Sequence, residues 1–299
     1  MADEQSASNQ RIGILDRVRE QMPDIAVPTS AEVREAPLKQ FNEIAPLEYA
    51  EVYQKTCYPR LPFPDTKIII EQFVSWWDEI GEVDAVLELG CGPVLSHIMT
   101  VVPRCQKIVM SDYLAENLDL IRTWVDERPG SYDWSGHVEY ALLAEGRVAN
   151  TQDIRERENE FRRKLSNLVV GDLRMKQPLG VAAQFPLVIC CYATEQAANN
   201  TEEWKEVFSN LANCVEPGGN LAISIVKDSD FYVIGDGTEK TVRIPIAKVS
   251  DAEVLDAFLA NGFEPDSIQI VAEECKGLAE QGLSELVIAF GRKKQNVAQ

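Results

Sequence analysis

The chain has 299 residues, 45% of them hydrophobic, and a formal charge of −19 from 29 basic against 48 acidic residues. That length favours one large domain with an appendage; the charge would repel a phosphate backbone and argues against nucleic acid as a partner; and no apolar run approaches the ~20 residues that span a bilayer. The start, MADEQSASNQRIG, lacks the basic-then-apolar pattern of a secretory signal, and the seven cysteines, with no C-x-x-C pair, read as reduced thiols rather than a disulfide framework or zinc site.

Residues 1–40 are polar at their start and carry Pro23, Pro28 and Pro37, so a loosely ordered appendage is expected. Residues 41–82 read as a helical cap. Tyr49 and Tyr53, four apart, share one helical face, and after a proline-rich turn Ile69, Phe73, Trp76 and Ile80 form the buried stripe of a helix over 65–80. The main domain, 83–292, opens on VDAVLELGCGPVLSHIMTVVPRCQKIVMSD: a strand, a turn at Gly90 and Gly92, a helix, and a second parallel strand closed by Asp112. A helix over 113–127 follows, stopped by Pro129 and Gly130. Next are a strand over 138–142, a charged helix over 145–164, and a strand over 167–172 ending in Asp172.

FPLVICCY, 185–192, reads as a central strand, and Asn200 with Glu203 caps the next helix. Pro217-Gly218-Gly219 turns the chain into a strand over 221–227. A hairpin insertion, 231–246, is centred on Gly235-Asp236-Gly237. Ser250 and Glu253 cap a further helix; strands over 267–272 and 285–291 close the sheet, the last antiparallel, and 293–299 is a tail. The fold class is α/β, a doubly wound and mostly parallel Rossmann-like sheet, with its ligand outside the carboxyl ends of the strands.

A glycine turn with a downstream acid suits dinucleotides and S-adenosylmethionine alike. The third dinucleotide glycine is Leu95 here, which removes the close packing a pyrophosphate needs. Further acids at Asp172 and Glu88 fit an adenosine with a cationic tail, so S-adenosylmethionine is the expected cofactor. With only two histidines, His97 and His137, a histidine base or metal centre starts at a disadvantage, and no metal is expected.

The chain resembles the nicotinamide, phenylethanolamine and indolethylamine N-methyltransferase family, which includes a thioether S-methyltransferase. The likeness runs over 41–292 and rests on Tyr49-Ala-Glu-Val-Tyr53, Leu89-Gly-Cys-Gly-Pro93, Ser111-Asp-Tyr-Leu-Ala-Glu-Asn117, PGSYDWS at 129–135, Gly171-Asp-Leu with Gln177-Pro-Leu-Gly180, Glu216-Pro-Gly-Gly219 and Phe231-Tyr-Val-Ile-Gly235. The DWS and QPLG pieces are far rarer than the glycine turn.

The resemblance implies a class I methyltransferase fold and a cofactor site. Gly90, Gly92 and Pro93 would pass the methionine part, and Asp112 would hold the ribose hydroxyls, with Tyr113 against the adenine and Asn117 nearby. Asp172 and Leu173 would meet the adenine, with Tyr49, Tyr53 and Cys191 completing the site. Glu195 and Asp228 match two carboxylates near the amine of the phenylethanolamine enzyme, and are expected to position an acceptor amine and receive its proton through water; Tyr232 and Arg243 are expected on the acceptor pocket. The nicotinamide enzyme's substrate aspartate corresponds to Ile225. The expected reaction is therefore methylation of a small-molecule amine or N-heterocycle by in-line displacement. An S- or O-acceptor, or a cofactor-binding scaffold without turnover, stays open. A cytoplasmic monomer is expected.

Overall fold

The computed structural model describes residues 47–234 and 242–295. The appendage, the first residues of the cap, the hairpin turn at Gly235-Asp236-Gly237 and residues 296–299 lie outside the described residues. Two helices lead in, α1 (Leu47–Cys57) and α2 (Pro64–Ile80), the second with proline at its first position, where no amide is needed. The sheet then builds from β1 (Val83–Leu89), β2 (Cys105–Asp112), β3 (Leu165–Val170), β4 (Phe185–Cys191), β5 (Val215–Val226), β8 (Gln269–Glu274) and β9 (Glu285–Arg292). Helices α3 (Ala115–Val125), α4 (Ser135–Ala144) and α5 (Thr151–Lys164) lie between β2 and β3 in sequence; α6 (Thr201–Asn213) links β4 to β5. A separate hairpin, β6 (Phe231–Ile234) with β7 (Val242–Pro245), and α7 (Asp251–Ala260) precede β8.

The strand order is β3-β2-β1-β4-β5-β9-β8, with the first five strands parallel and β9 antiparallel to both neighbours. Order reverses between β1 and β4, so the crevice at their carboxyl ends is where a doubly wound sheet takes its ligand. Both faces are covered, and the strands show it residue by residue. Val86, Leu187, Ile189 and Ile288 face one core with Trp76, Trp77, Ile121, Leu142 and Phe161. Leu87, Val188, Ile223 and Val287 face the other with Trp204, Phe208 and Phe258. Such strands are apolar on both sides, which is why FPLVICCY reads as a run instead of an alternation.

The segment expected as a helix after the glycine turn is two single 3₁₀ turns, Ile98–Thr100 and Val102–Arg104. Pro103 and the β-branched run Thr100-Val101-Val102 disfavour a continued α-helix; Val94, Leu95, Ile98 and Met99 are apolar because they are buried. The expected strand over 138–142 is instead the middle of α4. Val138, Ala141 and Leu142 are its buried face, and five residues are too few to separate a period of 2 from one of 3.6. β5 starts at Val215, earlier than expected, with a register shift opposite Phe185 and Leu187 that takes the Pro217-Gly218-Gly219 turn into the strand. The capping box at Ser250 and Glu253 forms as expected. No helix among the described residues is long and apolar enough to cross a membrane.

Candidate functional site

At the tip of β1 the backbone turns through Gly90 (φ 75°) and Gly92 (φ 58°), conformations that side chains resist. The amides of Gly90 and Cys91 both donate to Ser111 O at the end of β2, at 2.8 and 3.0 Å. Gly90 also lies against the β4 tip: a Cβ there would stand 2.2 Å from Ala193 Cβ. The turn is thus clamped between the two strands that flank β1. Gln54 of α1 donates to Pro93 O at 2.8 Å from a buried position, so the cap is tied directly to the turn.

Asp112 is the polar centre of this end. Its Oδ2 accepts from Gly92 N at 2.7 Å, and its Oδ1 from Leu114 N at 2.9 Å and Asn117 Nδ2 at 2.8 Å. Burial raises its pKa, against the lowering by those three donors. Across the crevice, Arg174 clasps Asp172, Nε to Oδ1 at 2.8 Å and Nη2 to Oδ2 at 2.6 Å, and its guanidinium stands 5.2 Å from the Tyr113 ring centre. Leu173 lies between, its carbonyl accepting from Asn210 Nδ2 at 3.0 Å. Arg174 had no signal in the sequence beyond being two residues from the strand-end acid.

These residues line one open cleft of about 880 Å³ including its mouth. Gly90, Gly92, Asp112, Tyr113, Asn117, Asp172, Leu173 and Arg174 are one group in its lining; the packed rings of Tyr53, Tyr58, His97 and Tyr192 are the aromatic end, with Cys191 also in the lining. The structure thus brings Tyr53, Gly90, Gly92, Asp112, Tyr113, Asn117, Asp172, Leu173 and Cys191 to one cleft. Pro93 is buried just behind the wall. Tyr49 is in the first turn of α1 and Arg243 pairs with Val233 in the hairpin, but both side chains lie outside what is described.

The two acids expected at the acceptor are not brought into the cleft. Glu195 has no exposed surface; its Oε1 accepts from Val226 N at 3.0 Å and its Oε2 from Thr194 Oγ1 at 3.3 Å. Burial lifts its pKa to about 7. Its carboxylate ties the β4 tip to the end of β5. Asp228 is exposed, with a left-handed backbone (φ 54°) and its amide donating to Val249 O at 2.9 Å. Tyr232 of β6 is buried in the core beside the cleft, where burial raises its pKa. Ile225 faces the opposite core.

The fit to S-adenosylmethionine can be tested on the residues. Asn117 Oδ1 is buried in the cleft wall without a partner beside Asp112, a pair of acceptors suited to ribose hydroxyls. The glycine turn leaves room beside it for the cofactor's amino-acid end, and Tyr113 with Leu173 gives an apolar wall for a flat base. The residues fit the group.

The NNMT/PNMT/TEMT family model matches residues 38–294. The phenylethanolamine N-methyltransferase of Macaca mulatta is 24% identical over 274 residues, 85% of this chain and 93% of that protein. The indolethylamine N-methyltransferase of Mus musculus is 29% identical over 155 residues, 51% of this chain and 57% of that one. Among solved structures, the N-methyltransferase NodS from Bradyrhizobium japonicum WM9, in complex with S-adenosyl-L-homocysteine, aligns with a TM-score of 0.48 at 12% identity, over 83% of this chain and 96% of that one. With the glycine turn, the acid at the second strand and the family match over nearly the whole described chain, the protein belongs to the NNMT/PNMT/TEMT family and is an S-adenosylmethionine-dependent methyltransferase.

Proposed function

We propose that the protein methylates the nitrogen of a small amine, with the cofactor at the Asp112 end of the cleft and the acceptor at the aromatic end. The observation that carries this reading is the cleft itself: a polar end built on Asp112 and Asn117 runs without a break into an end walled by Tyr53, Tyr58, His97 and Tyr192. When bound, S-adenosylmethionine supplies a methyl group on a sulfonium centre. The chain's task is then to align the acceptor and exclude water. Holding two partners at near-attack distance is worth on the order of 7 to 11 kcal/mol, and tyrosine faces near the reaction centre stabilise positive charge.

The relatives are named for phenylethanolamine, indolethylamine and nicotinamide. An arylalkylamine suits the aromatic end best. Nicotinamide is the weaker candidate, because Ile225 stands where that enzyme has its substrate acid. We assign Glu195 and Asp228 no contact with the acceptor, since one is enclosed between strands and the other faces solvent. We also propose a monomer working in the cytoplasm on small molecules; the charge of −19 supports the exclusion of nucleic acid.

The test is methyl transfer from S-adenosylmethionine to phenylethanolamine, indolethylamine, nicotinamide and dimethyl sulfide, read by product mass. Methylated arylalkylamine is the expected product. Product from the thioether alone would transfer the assignment to sulfur.

A further inference from the structure

Behind the aromatic end of the cleft lies a carboxylate that none of the motifs pointed to. Asp65, in the first turn of α2, is only 8% exposed, and its Oδ2 accepts from Tyr192 Oη at 2.9 Å. Its other oxygen, Oδ1, is buried without a hydrogen bond of standard geometry, as is the neighbouring Thr66 Oγ1. Tyr192 itself lines the cleft from the tip of β4, and holds a left-handed backbone at φ 57°. The other non-glycine residues with such backbones among the described residues, Glu127 and Asp228, are exposed. An under-satisfied buried acid and a strained buried tyrosine each cost free energy. Here both costs fall on one contact, at the point where the sheet order reverses.

The surroundings show what that contact faces. The Tyr53 and Tyr58 ring centres are 5.6 Å apart, Tyr58 and His97 6.0 Å, and His97 and Tyr192 6.4 Å, all four rings lining the cleft. Burial lowers the His97 pKa to about 4, so at neutral pH the ring brings no positive charge of its own. Asp65 feels Tyr53, Tyr58, Tyr192, Tyr232, His97 and Cys275. No lysine or arginine pairs with it among the described residues. Because Tyr192 donates its proton to Asp65, the tyrosine oxygen keeps lone pairs with which to accept another.

We propose that Tyr192 and Asp65 take the proton that the acceptor nitrogen loses, with Tyr192 touching the acceptor and Asp65 as the positioning residue behind it. This rests on the amine-acceptor reading. The nitrogen lone pair forms the new N–C bond while the donor's C–S bond breaks, its electron pair staying on sulfur. The proton left on nitrogen passes to Tyr192 Oη as the tyrosine's own proton passes to Asp65 Oδ2. Tyr192 ends neutral, Asp65 ends as the carboxylic acid, and the product amine leaves uncharged.

The experiment compares the full-length protein with Tyr192→Phe, Asp65→Asn and Asp65→Ala. It uses phenylethanolamine and indolethylamine as acceptor probes and calorimetry with S-adenosylhomocysteine as an independent readout. Each variant is expected to lose roughly a hundredfold in kcat, the scale of a positioned proton acceptor, with KM and S-adenosylhomocysteine affinity held within about threefold. Added formate is expected to restore part of the Asp65→Ala rate and none of the Tyr192→Phe rate. A Tyr192→Phe kcat within about threefold of the parent overturns the inference; so does a loss that follows KM or cofactor affinity alone, or a folded Asp65→Ala that formate does not rescue. If the Asp65 variants do not fold, Tyr192→Phe decides. A parent protein that binds S-adenosylhomocysteine yet methylates neither amine overturns this inference together with the amine reading, and absence of binding overturns the cofactor assignment itself.

Discussion

Glu195 shows how far a single side chain can stand from the role its position suggests. The sequence places it three residues past the strand read over 185–192, on a tip that must border the ligand, and the family likeness matches it to an acid. Nothing local reveals that its carboxylate turns away to the Val226 amide, because that partner lies in another strand. The consequence is testable through pH. Its pKa is raised by burial to about 7, so the folded chain binds this proton more tightly than the unfolded chain does. Stability therefore carries a penalty that grows as pH rises from about 4.5 and is complete above pH 7. Glu195→Gln keeps an oxygen for Val226 N and removes the penalty. Relative to the parent it should gain on the order of 2 to 3 kcal/mol between pH 5 and pH 8, measured by urea unfolding at both values. A pH-independent difference would show that Glu195 is not the group responsible. Asp112 is the opposite case: its place at the crevice was legible, because it is set by the backbone that the glycine turn fixes, with bonds from the Gly92 and Leu114 amides.

Among helical elements, those with long repeats or explicit caps were readable and the short buried ones were not. The stripe of α2 spans several turns, and Ser250 with Glu253 marks the start of α7 by direct hydrogen bonds. α4 and the 3₁₀ turns are short, and their burial hides any period. α5 is a subtler miss. Its charge suggests an exposed helix, yet Arg157 is 2% exposed, bonded to Glu145 through both terminal nitrogens at 2.7 Å and to Met99 O at 2.8 Å. This pair pins α5 to the 3₁₀ segment under the cofactor turn. Arg157→Ala would leave the Glu145 carboxylate without this partner and should cost about 3 to 5 kcal/mol, seen as a lower urea midpoint. Arg157→Met, which keeps most of the apolar stem, should cost less.

At the scale of the molecule, the doubly wound order and the place of the cleft follow from alternating strands and helices, which the chain displays openly. The acceptor end does not follow, because Asp65, Tyr58, His97 and Tyr192 come from four separate segments that only the fold assembles. Since the cleft draws on α1, β1, β2 and β4 together, a ligand held there braces most of the domain. S-adenosylhomocysteine at a hundred times its Kd should add about 2.7 kcal/mol to stability and raise Tm by several degrees, read by scanning calorimetry. A Tm that does not rise would mean that the folded protein does not hold the product.

The Gln54–Pro93 bond that ties α1 to the glycine turn has a further consequence for thiol chemistry. Six of the seven cysteines are buried, and Cys57, at the last turn of α1, is the one that is partly exposed. A maleimide or iodoacetamide should therefore modify the folded protein first at a single residue, on the helix that covers the cleft. Labelling at Cys57 would then act as a clock for α1 lifting from the turn, running slower once ligand fills the space beneath it and faster in Gln54→Ala.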